Sequence, residues 1–235
     1  MRDTSRRSFV RGALAGGGAI VIGAAARPAS AQVRPTGMRR GDAEHEAITP
    51  NEDLMIEHGL IGRVLVVWAA AEKRLRTDQP IDRDALRRSV DVVQRAIHDY
   101  HERTEEEHVF PLLERAGRET ALVATLRAQH EAGRRVTREL ASALAREFAP
   151  DARIAIADRL ASWSRMYAAH APREDTIVFP AFRELAGRDY QALAGRFEAD
   201  EHARLGPDGL EPSLAEIAAI ERALGVDDLA IFTPR

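Results

Sequence analysis

The chain has 235 residues, 45% of them hydrophobic and 30% charged, with a formal net charge of −3. That balance suits one sizeable core, and the mild negative charge favours neither a nucleic-acid backbone nor an anionic membrane surface as a partner, both of which need clustered positive charge. Cysteine is absent, which removes disulfides, thiolate ligands and thiol catalysis, so any metal is held by nitrogen and oxygen.

Residues 1–31 read as an export signal. Ser5, Arg6, Arg7, Ser8, Phe9, Val10 and Arg11 precede an apolar Gly- and Ala-rich run from Gly12 to Ala26, and Ala29, Ser30 and Ala31 form a small-residue cleavage site. The paired arginines followed by Phe9 resemble the twin-arginine signal, whose export machinery carries proteins already folded. An apolar run of about fifteen residues falls short of the roughly twenty that span a bilayer. The expected mature chain therefore starts near Gln32, periplasmic or otherwise extracytoplasmic, with no stable membrane span after cleavage; an uncleaved anchor is the alternative. Cleavage removes Arg2, Arg6, Arg7, Arg11, Arg27 and Asp3, a net loss of four positive charges, which takes the formal charge from −3 to −7.

A polar, flexible lead-in with Pro35 and Gly37 covers residues 32–48. Thr49, Pro50, Asn51 and Glu52 then form a capping box with proline at the first helical position. Leu54, Ile61, Leu65 and Trp68 follow at helical spacings, and this first helix ends near Thr77 to Pro80. The second starts at Asp82 or Asp84 and stops at Gly117; the third runs from Glu119 to Glu147, before Pro150; the fourth runs from Asp151 to Gly187. Two shorter helices follow, one from Tyr190 to Arg204 and one after Pro212 that is capped at Gly225. No segment alternates with period two for long enough to suggest a strand. The expected fold is all-α: an up-down-up-down four-helix bundle over residues 49–187, with a two-helix extension over 188–235.

The second helix contains HERTEEEHVFP, from His101 to Pro111, and the fourth contains HAPREDTIVFP, from His170 to Pro180. Either stretch alone reads as a solvated charge run. Together they repeat a histidine, a glutamate at the fifth position, an acid at the sixth and Val-Phe-Pro, and Ala-Gly-Arg plus an acid closes both helices. The preceding helices repeat as well, EHGLIGRV around His58 matching QHEAGRRV around His130. The sequence is a helical hairpin written twice.

Residues four apart share a helix face, so His101 points with Glu105 and His170 with Glu174. Val90, Val93, Ile97 and Val109 place the first pair on an apolar stripe, and Leu160, Trp163 and Ile177 the second. His58 and His130 lie on the stripes of their own helices. Four histidines and two glutamates thus face the centre of the bundle, where ionised carboxylates cost several kcal/mol each unless compensated. Buried charges are paired or bind metals. Arg63 and Arg135 are the candidate partners, but they lie about 140° around the helix from His58 and His130. Two divalent ions fit better, each taking two imidazoles, with Glu105 and Glu174 bridging; mixed imidazole and carboxylate ligation suits non-haem iron, and manganese or zinc by ligand type as well.

At these residues the chain resembles the hemerythrin-like HHE cation-binding family, whose pattern of His, His-x3-Glu, His and His-x3-Glu is met by His58, His101 with Glu105, His130, and His170 with Glu174. The resemblance extends from Asn51 to about Gly187 and implies a di-iron centre that meets dioxygen, nitric oxide or peroxide. Oxygen-carrying members add a fifth histidine and an aspartate, which have no counterpart here at matching spacing. Glu102, opposite Ala171 in the repeat, stands where some relatives have a ligand glutamate and is a candidate seventh ligand. His98 and Tyr167 correspond, each one turn before a ligand histidine, as an extra ligand, a hydrogen-bond donor or a polar lining residue. Phe110 and Phe179, nine residues after their histidines, are expected to pack away from the metals. Glu106 and Asp175 read as solvated or supporting residues, His108 as packing, and Glu198 with His202 as a surface pair. Pro172 is expected to bend the fourth helix.

Three functions suit this pattern: a di-iron protein that binds or reduces a small diatomic or peroxide ligand, a metal store without redox turnover, and a helical interaction module with a polar core. No phosphate loop, dinucleotide fingerprint, haem attachment site or nucleophile elbow is present to suggest another chemistry.

Overall fold

The computed structural model describes residues 48–145 and 150–234. The expected signal, 1–31, and the lead-in up to residue 47 lie outside the described residues. Six helices account for most of the rest: α1 (Pro50–Arg76), α2 (residues 83–115), α3 (Thr120–Leu144), α4 (residues 150–186), α5 (Tyr190–Leu205) and α6 (Glu211–Ala223), with a 3₁₀ turn at Leu229–Phe232. No strand occurs among the described residues. The helices form a bundle in which α1 lies along α4, α3 packs on α4, and α2 touches both α1 and α3.

Local signals set the helix ends. Glu52 N–H donates to Thr49 Oγ1 at 3.3 Å while Thr49 N–H donates to Glu52 Oε2 at 2.9 Å, closing the capping box. Asn51 fastens this end of α1 to the later helices, its side-chain amide donating to the Phe179 carbonyl at 2.8 Å and its backbone N–H to the Tyr190 hydroxyl at 3.1 Å. Asp82 caps α2 through the Ala85 N–H. Gly187, at φ +53°, ends α4 in a conformation that favours glycine.

Helices α2 and α4 are not α-helical throughout. Val93–His101, Glu105–Val109 and Glu174–Val178 are π-helical turns. In them Phe110 N–H donates to the Glu105 carbonyl and Phe179 N–H to the Glu174 carbonyl, each five residues back. Pro111 and Pro180 follow directly. A proline lacks the N–H for its own ladder bond and crowds the carbonyl four residues earlier, and a widened turn before it relieves both problems. Pro172 stands inside helical residues Pro150–Arg173, two residues ahead of Glu174.

The apolar interior divides into two clusters. One contains Leu60, Val64, Trp68, Ile97, Leu140, Leu160, Trp163 and Tyr167, together with Ile217 and Ile220 of α6. The other contains Leu54, Val109, Phe110, Val123, Leu126, Val178 and Phe179. On each long helix the polar residues 57–58, 98–105, 130–137 and 170–174 fall between its contributions to the two. Each fully buried leucine, valine or phenylalanine contributes roughly 1.5–3 kcal/mol, so both clusters hold the intervening polar layer in place. Helix α1 is long and apolar enough to cross a membrane, but half of its most apolar stretch is buried inside the bundle. Ile177, expected on the buried stripe, is exposed, because the π turn shifts the register of the residues after Glu174.

Candidate metal centre

His58 comes from α1, His101 and Glu105 from α2, His130 from α3, and His170 and Glu174 from α4, and all six are buried. They make two groups, His58, His101, Glu105 and Glu174 in one, and Glu105, His130, His170 and Glu174 in the other; within each, one donor atom per residue lies within 4.8 Å of every other. The two glutamates are common to both groups. His58 Nε2 is 3.4 Å from Glu174, His101 Nε2 3.7 Å from Glu105, His130 Nε2 3.4 Å from Glu105 and His170 Nε2 3.0 Å from Glu174.

Most of the inner atoms lack hydrogen-bond partners. His58 Nε2, His101 Nε2 and both carboxylate oxygens of Glu105 and of Glu174 are buried without a hydrogen bond. Such atoms are rare in native interiors and cost free energy unless something binds them. The outer nitrogens are engaged: His58 Nδ1 donates to Asp175 at 2.7 Å, His101 Nδ1 to Glu57 at 2.6 Å, His130 Nδ1 to Glu106 at 3.0 Å and His170 Nδ1 to the Gln129 side-chain oxygen at 2.7 Å. These bonds turn each Nε2 toward the centre, where those of His130 and His170 face each other at 3.2 Å, the arrangement in which histidines ligate metals with a supporting acceptor behind them. The donor set, imidazole nitrogens and carboxylate oxygens, fits cations.

Burial opposes protonation of His58, but the bond to Asp175 and the charge of Glu174 outweigh it and raise its pKa to about 9. Burial and the neighbouring charges of Glu174, Glu102 and Glu57 push Glu105 well above the usual carboxylate range. For Glu174 burial is outweighed by His170 and His58, which hold it below that range. Burial also lowers His101, against the pull of Glu57. Protons thus hold part of the charge balance that cations would take over.

Glu102 belongs to neither group of four. It lies with Glu106 and His130 in a third cluster, but Arg134 reaches Glu102 at 2.9 Å and Glu106 at 2.8 Å, so a guanidinium already supplies the positive charge there. His98 Nδ1 donates to Glu102 at 2.9 Å, and the Tyr167 hydroxyl donates to the same oxygen. Burial opposes the charge on Glu102, but His130, His98 and Arg134 lower its pKa to about 2. The arginines singled out from the sequence do not serve here: Arg63 pairs with Glu221 of α6, and Arg135 is exposed. Arg134, four residues after His130, is on the inner face instead.

Phe110 and Phe179 do not pack away from the site. Phe110 stacks on His130 at 5.6 Å between ring centroids and Phe179 on His58 at 5.3 Å. Residues five apart share a face in a π turn, which brings Phe110 beneath Glu105 and Phe179 beneath Glu174. Glu57 and Gln129 escaped the sequence reading although the signal was present, an acceptor directly before the histidine in both copies. His108 bonds Asp200 at 2.7 Å outside the centre, His202 is exposed, and Glu198 joins no metal-capable group among the described residues.

Comparison with known proteins agrees with this geometry. The uncharacterized protein Rv1995 of Mycobacterium tuberculosis and the uncharacterized protein Mb2018 of Mycobacterium bovis are each 40% identical to the chain over 190 residues, 80% of this chain and 74% of theirs. No solved structure matches it. The sequence profile described as the Hemerythrin HHE cation binding domain matches residues 49–182, which include all six inward-facing ligand candidates. The chain belongs to the hemerythrin HHE cation-binding family.

Proposed function

We propose that this protein is an exported, periplasmic non-haem di-iron protein whose centre reacts with a small oxidant such as dioxygen, nitric oxide or peroxide. The observation that carries the reading is the set of unpartnered inner atoms on His58, His101, Glu105 and Glu174, backed by outer acceptors on all four histidines. His58 and His101 would hold one ion and His130 and His170 the other, with Glu105 and Glu174 bridging. Imidazole and carboxylate ligands suit iron, and by type also manganese or zinc. Two redox-active ions would supply electrons to the bound oxidant.

The surrounding residues favour such chemistry over a freely exchanging store. Phe110 and Phe179 stack on ligand histidines and keep water from one side of the layer, and the bonds from Nδ1 hold the rings in one orientation. The order in which the four long helices meet the two apolar clusters alternates from one helix to the next, which supports an up-down-up-down arrangement. Export rests on the twin-arginine pattern of residues 5–11.

Optical spectroscopy of the iron-loaded mature chain tests the proposal. The near-ultraviolet and visible absorption should change on adding peroxide or nitric oxide to the reduced protein. A fully loaded protein whose spectrum ignores both would point to storage instead.

A further inference from the structure

The repeat relates the two groups of ligand candidates, and it relates the residues behind them as well. Asp175 behind His58 and Glu106 behind His130 hold the same place, five residues after His170 and His101. Glu57 and Gln129, each directly before a candidate histidine, accept from His101 and His170 at 2.6 and 2.7 Å. Two of these correspondences break the symmetry. The His101 ring donates to a carboxylate, whereas the His170 ring donates to an amide of the same shape that carries no charge. Four residues after His130 stands Arg134, buried, whose guanidinium reaches Glu106 at 2.8 Å and Glu102 at 2.9 Å. Four residues after His58 stands Gly62, so no side chain from the matching position reaches Asp175.

Both differences act in the same direction. An acceptor behind a ligand histidine raises the basicity of its inner nitrogen, and a carboxylate does so more strongly than an amide because its bond is charge-assisted. Arg134 shares Glu106 with His130 and draws on the same oxygen, Oε1. Its fixed positive charge also repels a cation nearby, in an interior that screens charges poorly. The acceptors on the His58 and His101 side are therefore the stronger pair, and those on the His130 and His170 side the weaker.

We propose that the centre takes up divalent cations in order, the first at His58 and His101 and the second, more weakly, at His130 and His170, with Gln129 and Arg134 as the positioning residues that set the difference. This rests on the two-ion reading above and adds that its halves are unequal. A chain holding a single ion is then a defined species with that ion in a known place, and the two positions can hold different metals.

The test is a zinc titration of the full chain labelled with 15N-histidine, followed by long-range 1H–15N nuclear magnetic resonance, with each ring assigned by single substitution. Zinc is diamagnetic and suits the same ligands. It is delivered from a nitrilotriacetate buffer at pH 9, where the proton that competes for His58 is half removed. The first equivalent should shift Nε2 of His58 and His101, and those of His130 and His170 should follow only with the second. Gln129→Glu, which keeps the shape and adds the charge, should tighten the second step by about 10- to 100-fold and move the first far less. Wild-type protein in which all four rings shift together, or His130 and His170 first, would overturn the proposal, as would a Gln129→Glu variant whose second step is unchanged. Failure of the underlying reading looks different: no ring responds to excess zinc or ferrous iron in any variant.

Discussion

Each of the four candidate ligand histidines has its Nδ1 committed to an acceptor on a neighbouring helix, so the ring cannot rotate without losing that hydrogen bond. The repeat of His and His-x3-Glu was legible because identity and spacing alone mark it. The supporting acceptors were less so: Glu57 and Gln129 act across the bundle on His101 and His170, and nothing in local spacing says which neighbour a side chain will meet. Arg134 was not legible for a related reason: the repeat marks Arg63 and Arg135, whereas Arg134 lies outside the repeated pattern and meets Glu102 and Glu106 only across the bundle. Protonation gives a prediction at this scale. A metal must displace the His58 proton, so affinity should rise with pH from 6.5 to about 9. Without metal the sign reverses: the proton's contribution to stability is fully present below pH 6.5 and is lost as pH rises through about 9. Chelator competition across this window checks the first statement, and affinity flat over the window would contradict it. In the same titration Glu57→Gln should weaken binding by about 10- to 100-fold, the usual loss when the acceptor behind a ligand histidine is changed.

At the scale of the helix, the π turns explain why some sequence expectations failed. Angles counted at α-helical spacing sent Phe110 and Phe179 away from the metals and Ile177 inward, whereas a five-residue turn before Pro111 and Pro180 rotates each of them to the other side. The prolines were visible in the sequence; the choice between a kink and a widened turn depends on the packing around them. Helix ends were more legible, because Thr49, Asp82 and Gly187 act through bonds and dihedrals close in sequence. The contact between α3 and α4 at Gly133 can be tested. Gly133→Ala would place a methyl group 2.9 Å from the Tyr167 hydroxyl and 3.2 Å from Met166 Cε. Overpacking of this kind costs about 1–3 kcal/mol, which should appear as a lower melting temperature and a denaturation midpoint at lower urea. In a Tyr167→Phe background the loss should shrink, since residues in contact couple. Equal losses in both backgrounds would show that the hydroxyl is not what the glycine accommodates.

Across the whole molecule, two apolar clusters enclose a polar layer that four helices share, so the same packing that folds the bundle also assembles the ligands. The C-terminal helices, beyond the matched domain, belong to this unit: α6 buries Ile217 and Ile220 in the larger cluster, and Arg63 and Arg88 pair with Glu221 and Glu216 on it. These partly exposed ion pairs add little, about 0–1 kcal/mol each, and the apolar contacts carry the docking. That extension was legible as helices, but the residues it meets were not, because its partners lie more than a hundred residues away in sequence. The layer it helps enclose is charged and unpartnered at its centre, which is the basis for assigning it to cations. The most direct measurement is elemental analysis of the purified chain beside Glu105→Ala and Glu174→Ala. Two ions per wild-type chain and loss of metal from both variants is the predicted result; a wild-type chain that takes up no metal, or variants that keep both ions, would contradict it.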